Sequence, residues 1–185
     1  MASLKDTQNE ADDRCIPIDR VGVRGLRFPL KISDRDQQTQ HTIAVVSLAV
    51  DLPHQYKGTH MSRFVEVLHA QGSEVTVHAI AGMPKELLKR LNAEKAHVEF
   101  RFPYFRAKKA PVSQSVGLLD YGVIFEVNAE AESVDFVVTV EVPVTTLCPC
   151  SKAISTRGAH NQRGTVTLSV RFTHPIWIED LIEMV

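Results

Sequence analysis

Strict alternation of apolar and polar side chains over four separate stretches is what most limits how this chain can fold. Val98, Phe100, Phe102 and Tyr104 alternate with Glu99 and Arg101. Tyr121, Val123, Phe125 and Val127 repeat the pattern, as do Val134, Phe136, Val138, Val140 and Val142, ending at Pro143. Val166, Leu168, Val170 and Phe172 form the fourth stretch. Successive strand side chains point to opposite faces, so a period of two predicts antiparallel strands with one covered face.

The covering elements are helices. Met61, Phe64, Val65 and Leu68 recur at helical spacing behind Thr59, a residue suited to N-capping. A second helix is expected to open at Pro84, which fits a first helical position, with Leu87, Leu88 and Leu91 as its apolar face. Residues 41–50 are apolar and β-branched and predict a buried strand, stopped by Asp51-Leu52-Pro53. Residues 20–30, with Gly22 and Gly25, fit either a strand or a loop. After Pro175, Ile178, Leu181, Ile182 and Val185 repeat the helical spacing.

The order strand, helix, helix, strand, strand, then strand, strand, helix predicts an α+β protein. Its expected parts are a flexible N-terminal arm (1–20), one module (21–131) and the first half of a second (132–185). The apolar stripe runs to Val185 without a glycine cap or a basic last turn, so the chain is expected to be a piece of something longer.

Composition excludes several functions. Twenty-one basic against 22 acidic residues give a net charge of -1, with no global pull toward nucleic acid or an anionic membrane. No apolar run approaches the ~20 residues needed to span a bilayer. The polar N-terminus holds no signal core, and three cysteines make no disulfide framework. A cytoplasmic protein with free thiols is expected.

Two of those cysteines lie in Cys148-Pro149-Cys150-Ser151-Lys152, followed by His160-Asn161-Gln162-Arg163-Gly164. Residues 143–163 are far too long for an ordinary hairpin connection of ~2–5 residues, which makes the segment a functional candidate. Cys148 and His160 can both ligate a borderline or soft divalent ion. Cys150 is either a third ligand or a packed thiol. At most three donors suit an open catalytic site better than a closed structural one. Lys152, Arg157 and Arg163 could attract an anionic substrate and would lower a thiol pKa. His60 opens the first helix, where N–H groups favour anions.

Thr145-Thr146-Leu147-Cys148-Pro149-Cys150-Ser151-Lys152, with Gly158-Ala159-His160-Asn161-Gln162-Arg163-Gly164, resembles the signature of GTP cyclohydrolase type IB. Gly58-Thr59-His60-Met61-Ser62-Arg63-Phe64 resembles that family's other marked segment, and the likeness runs from about residue 15 to the end. The resemblance implies the tunnelling fold, with antiparallel sheets carrying paired helices on one side, two modules in tandem and the second incomplete here. It implies homo-oligomers, tetramers above all, with active sites at subunit interfaces. The implied reaction turns GTP and water into 7,8-dihydroneopterin triphosphate and formate, the entry to tetrahydrofolate.

Carried over by likeness, Cys148 and His160 match the catalytic and metal-binding pair, with zinc or manganese polarising a water for attack on C8 of guanine. Lys152, Arg157, His60 and Arg63 are candidates for triphosphate contacts. A further acidic metal ligand and a guanine-anchoring carboxylate are expected beyond Val185.

Two rivals remain. The tunnelling-fold nitrile reductase of queuosine synthesis uses a cysteine and NADPH, but its Glu-x-Lys-x-x-Lys motif is missing and it has no need of His160. The other is a catalytically incomplete metal-binding or assembly module.

Overall fold

The computed structural model describes residues 13–35, 39–72, 77–131, 133–171 and 176–185. Within them, six strands form one antiparallel sheet in chain order: β1 (Ile18–Ser33), β2 (Thr39–Leu52), β3 (Lys95–Lys109), β4 (Val116–Glu130), β5 (Ser133–Leu147) and β6 (Asn161–Arg171). Helices α1 (Met61–Ala70) and α2 (Val77–Leu91) lie between β2 and β3, α3 (Pro149–Ile154) between β5 and β6, and α4 (Ile178–Glu183) follows β6. The architecture is α+β, and no described helix is long and apolar enough to cross a membrane.

The alternation places the core. Val98, Phe100, Phe102 and Tyr104 of β3 are buried beside Tyr121, Val123, Phe125 and Val127 of β4. Phe102, Phe125 and Phe136 meet edge to face. Above them α1 buries Phe64, Val67 and Leu68, and α2 buries Ile80, Met83 and Leu87. Each such side chain, fully buried, contributes about 1.5–3 kcal/mol.

Several expectations change. β1 begins at Ile18, so the region expected as an arm to residue 20 already holds strand, while residues 1–12 lie outside the described residues. Residues 20–30 are strand throughout. His60, not Thr59, occupies the N-cap of α1, and it makes no side-chain capping bond. Val65 is half-buried and Met61 exposed, because Val67 takes the core position instead.

Helix α2 starts seven residues before Pro84, which sits inside it. An internal proline costs ~3 kcal/mol through a lost hydrogen bond and a ring clash. Burial of Ile80, Met83 and Leu87 on the sheet outweighs that cost, and Pro84 is itself buried.

Strand β2 is covered on one face only. Ala44, Val46, Leu48, Val50 and Leu52 are buried, whereas Ile43 is 60% exposed. Val134, at the start of β5, and Val166, on β6, are exposed despite their alternation, and Leu168 and Val170 of β6 are half-buried, because α1 and α2 lie over β1–β4. Phe172 and Pro175 lie outside the described residues.

Strand β5 runs through Pro143 to Leu147. Its pairing with β4 ends at Glu141, while β6 stays paired from Val142↔Val166 to Leu147↔Asn161. Pro143 therefore lies where one side of the strand has no ladder to interrupt. The boundary drawn between 131 and 132 falls at the β4–β5 turn, and Glu130 pairs with Ser133 across it.

Helix α4 buries Ile178, Leu181 and Ile182. It ends at Glu183, so Val185 lies past its last turn, 44% exposed rather than on the buried stripe.

Candidate functional site

Extension of β5 and β6 shortens the long connection to residues 148–160 and places its chemistry. The last rung of the ladder is Leu147↔Asn161. Cys148 follows the first of these residues and His160 precedes the second, so the two flank the mouth of one hairpin. Pro149 opens α3 in a helical position where its missing N–H costs nothing, and Cys148 becomes the N-cap.

Ser151, 2% exposed, points back into that mouth. Its hydroxyl reaches the Cys148 carbonyl at 3.0 Å and the His160 carbonyl at 3.3 Å. The Lys152 N–H also donates to the Cys148 carbonyl, at 3.1 Å. Gly158 closes the far side of the loop with φ at +76°, and its N–H donates to the Ser155 carbonyl at 3.1 Å. A β-carbon at Gly158 would collide with the Leu147 side chain and stand 3.3 Å from the Ser151 oxygen.

Cys148 is buried and Cys150 exposed, so the two thiols of Cys-Pro-Cys face different surroundings. His160, Lys152, Arg157 and Arg163 are exposed. A thiol and an imidazole at one hairpin mouth are donors that fit a borderline divalent ion. Among the described residues, no group of three or more His, Cys, Asp or Glu side chains could hold a metal.

The second marked motif lies elsewhere. His60 and Arg63 border a small cleft with Tyr56 and Asn92. There Arg63 Nη1 donates to the Arg90 carbonyl at 2.7 Å, capping the C-terminus of α2, and Asn92 Nδ2 donates to the Tyr56 hydroxyl at 2.8 Å. This cleft sits beside the end of β2 and the start of β3. The register puts that end of the sheet opposite the β5–β6 hairpin mouth. Fifteen-residue strands at ~3.3 Å per residue separate the two ends by about 50 Å.

Sequence reasoning missed Glu179. It is 7% exposed on α4, and its Oε1 accepts from the Tyr104 hydroxyl at 2.5 Å and from the Arg35 N–H at 3.0 Å. Among the described residues, its Oε2 has no partner. Glu179 borders a cleft of about 610 Å³ with Gln40, His41, Tyr104 and Arg106, at the hairpin end of the sheet. A larger cleft, about 740 Å³, lies at the opposite end between Asp19, Asp51, His54 and Lys95. Neither is lined by Cys148 or His160. In the sequence Glu179 was visible only as part of a helical stripe: α4 carries three acidic residues, Glu179, Asp180 and Glu183, and nothing in their spacing marks Glu179 as the buried one.

Comparison with known proteins gives a consistent answer. Residues 4–185 match the family model described as type I GTP cyclohydrolase folE2; the subclass label type IB is not part of that description. The GTP cyclohydrolase FolE2 of Akkermansia muciniphila is 62% identical over 188 residues, covering 100% of this chain and 71% of the relative. That of Nitrosococcus oceani is 49% identical over 182 residues, covering 98% and 68%. That of Methylococcus capsulatus is 49% identical over 183 residues, covering 99% and 68%.

Proposed function

The chain belongs to the type I GTP cyclohydrolase FolE2 family, and from that premise we propose that the β5–β6 hairpin mouth is where it opens the imidazole ring of GTP. It is a hydrolase acting on GTP. The products are 7,8-dihydroneopterin triphosphate and formate, feeding tetrahydrofolate synthesis in the cytoplasm. One observation carries the assignment of the site: Cys148 and His160 flank the Leu147↔Asn161 rung, tied together through Ser151.

Cys148 and His160 would hold a zinc or manganese ion, completed by a ligand outside this pair. Such an ion, when bound, supplies Lewis acidity and activates water for attack at C8. The exposed His160 imidazole can also carry a proton to or from a purine nitrogen. Exposed Lys152 and Arg157 offer positive charge to the triphosphate beside the same mouth.

His60 and Arg63 enter the same site through a second copy. About 50 Å of sheet keeps them from Cys148 within one chain. Among the described residues, β1 and β6 are the edge strands of the sheet, and β6 is exposed along most of its length. These features support the tunnelling fold, a homo-oligomer such as a tetramer, and active sites shared between subunits.

The test is incubation with GTP and Zn²⁺ or Mn²⁺, followed by oxidation, dephosphorylation and detection of neopterin fluorescence. Formation of neopterin by the protein, lost in Cys148→Ala and His160→Ala, is expected. Full turnover in both variants would refute this site.

A further inference from the structure

Ser151 is the one buried polar side chain of the hairpin loop, 2% exposed, so its hydroxyl takes its partners from the protein. It lies within hydrogen-bonding distance of the carbonyl oxygens of both Cys148 and His160. The two contacts join the N-cap of α3 to the residue that enters β6, across a loop with no ladder rung beyond Leu147↔Asn161. A β-carbon at Gly158 would collide with the Leu147 side chain and press within 3.3 Å of the same hydroxyl.

We propose that Ser151 is a positioning residue: its hydroxyl bridges the backbones of Cys148 and His160 and sets the spacing between thiol and imidazole on which metal binding depends. This rests on the metal site proposed above. Backbone position fixes where each side chain starts, so loss of the bridge lets the mouth widen while both donors remain. Groups that orient metal ligands typically cost ~10–100-fold in metal affinity when removed. The hydroxyl has a single proton, so it donates to one carbonyl at a time or shares between both.

The experiment titrates the metal-free protein with Co²⁺ and follows the thiolate-to-cobalt charge-transfer absorption, with GTP turnover measured at saturating metal. Ser151→Ala is expected to weaken Co²⁺ binding about tenfold or more and to shift the band. At saturating metal it lowers kcat while KM for GTP stays near the wild-type value. Ser151→Thr, which keeps the hydroxyl, is expected to restore binding, whereas Ser151→Val, alike in volume, is not. That pair also decides the matter if Ser151→Ala folds poorly, and far-UV circular dichroism of each metal-free variant reports its fold.

Ser151→Ala or Ser151→Val with wild-type affinity and spectrum, while Cys148→Ala loses the band, would overturn the bridge and leave the metal site standing. Wild-type binding by Cys148→Ala would overturn the metal site, and the bridge with it.

Discussion

Replacing Tyr104 with phenylalanine removes one oxygen from the core and tests how α4 is held. Tyr104 is 1% exposed, and its hydroxyl donates at 2.5 Å to Glu179, itself 7% exposed. Among the described residues, the other donor to that carboxylate is the Arg35 N–H at 3.0 Å. A hydrogen bond to a charged group contributes about 1.5–3 kcal/mol, and its loss here leaves a buried carboxylate with one donor. For a chain of this size each kcal/mol moves the midpoint by about 2–4 °C, so Tyr104→Phe should lower Tm by roughly 3–12 °C.

The pH dependence follows from the same contact. Burial, then the hydrogen bond to Glu179, raises the Tyr104 pKa above its ordinary value. The folded state keeps the proton that the unfolded chain releases near pH 10. The contribution is therefore complete below about pH 10 and is lost as pH rises beyond it. Urea unfolding at pH 8 measures the first effect, and the same titration from pH 9 to 11 the second. The base-side decline should be shallower in Tyr104→Phe. A loss under about 0.5 kcal/mol at pH 8, the range of a neutral surface change, would refute the reasoning.

Three further outcomes are expected. Gly22→Ala should cost more than about 3 kcal/mol, read as lost soluble protein or a collapsed unfolding midpoint, because its β-carbon would stand on the Leu48 carbonyl of the neighbouring strand. Arg63→Ala should raise KM for GTP about tenfold, equivalent to one ~1.4 kcal/mol contact, while the exposed bond to Arg90 makes its stability cost no more than about 1 kcal/mol by urea unfolding. Cys150→Ser should leave metal affinity unchanged and stability within about 0.5 kcal/mol, since Cys150 is exposed where Cys148 is buried.

The strands of the core were legible because their burial is periodic. Phe100, Phe102 and Tyr104 alternate in the sequence, and α2 packs on β3 while Glu179 of α4 meets Tyr104. The same alternation misled at Val134 and Val166, which lie at the start of β5 and on the edge strand β6, past the strands that α1 and α2 cover, and stay exposed. Pro84 misled in the other direction. A local cost near 3 kcal/mol loses to the burial of Ile80, Met83 and Leu87, and that burial depends on a sheet built from distant residues.

In the candidate site, Cys148 and His160 stood out by residue type. Their meeting at one hairpin mouth required the register of β5 and β6, which runs past Pro143. Ser151 and Glu179 gave no signal, because a serine in a polar loop and a glutamate in an amphipathic helix look solvated until the fold buries them.

The most direct test of the central claim is X-ray absorption at the zinc edge of the zinc-loaded protein. A metal held by Cys148 and His160 predicts a Zn–S distance of about 2.3 Å with Zn–N scattering near 2.0–2.1 Å, the sulfur shell vanishing in Cys148→Ala and the imidazole pattern weakening in His160→Ala. A wild-type spectrum without sulfur, or a sulfur shell that survives Cys148→Ala, would contradict it.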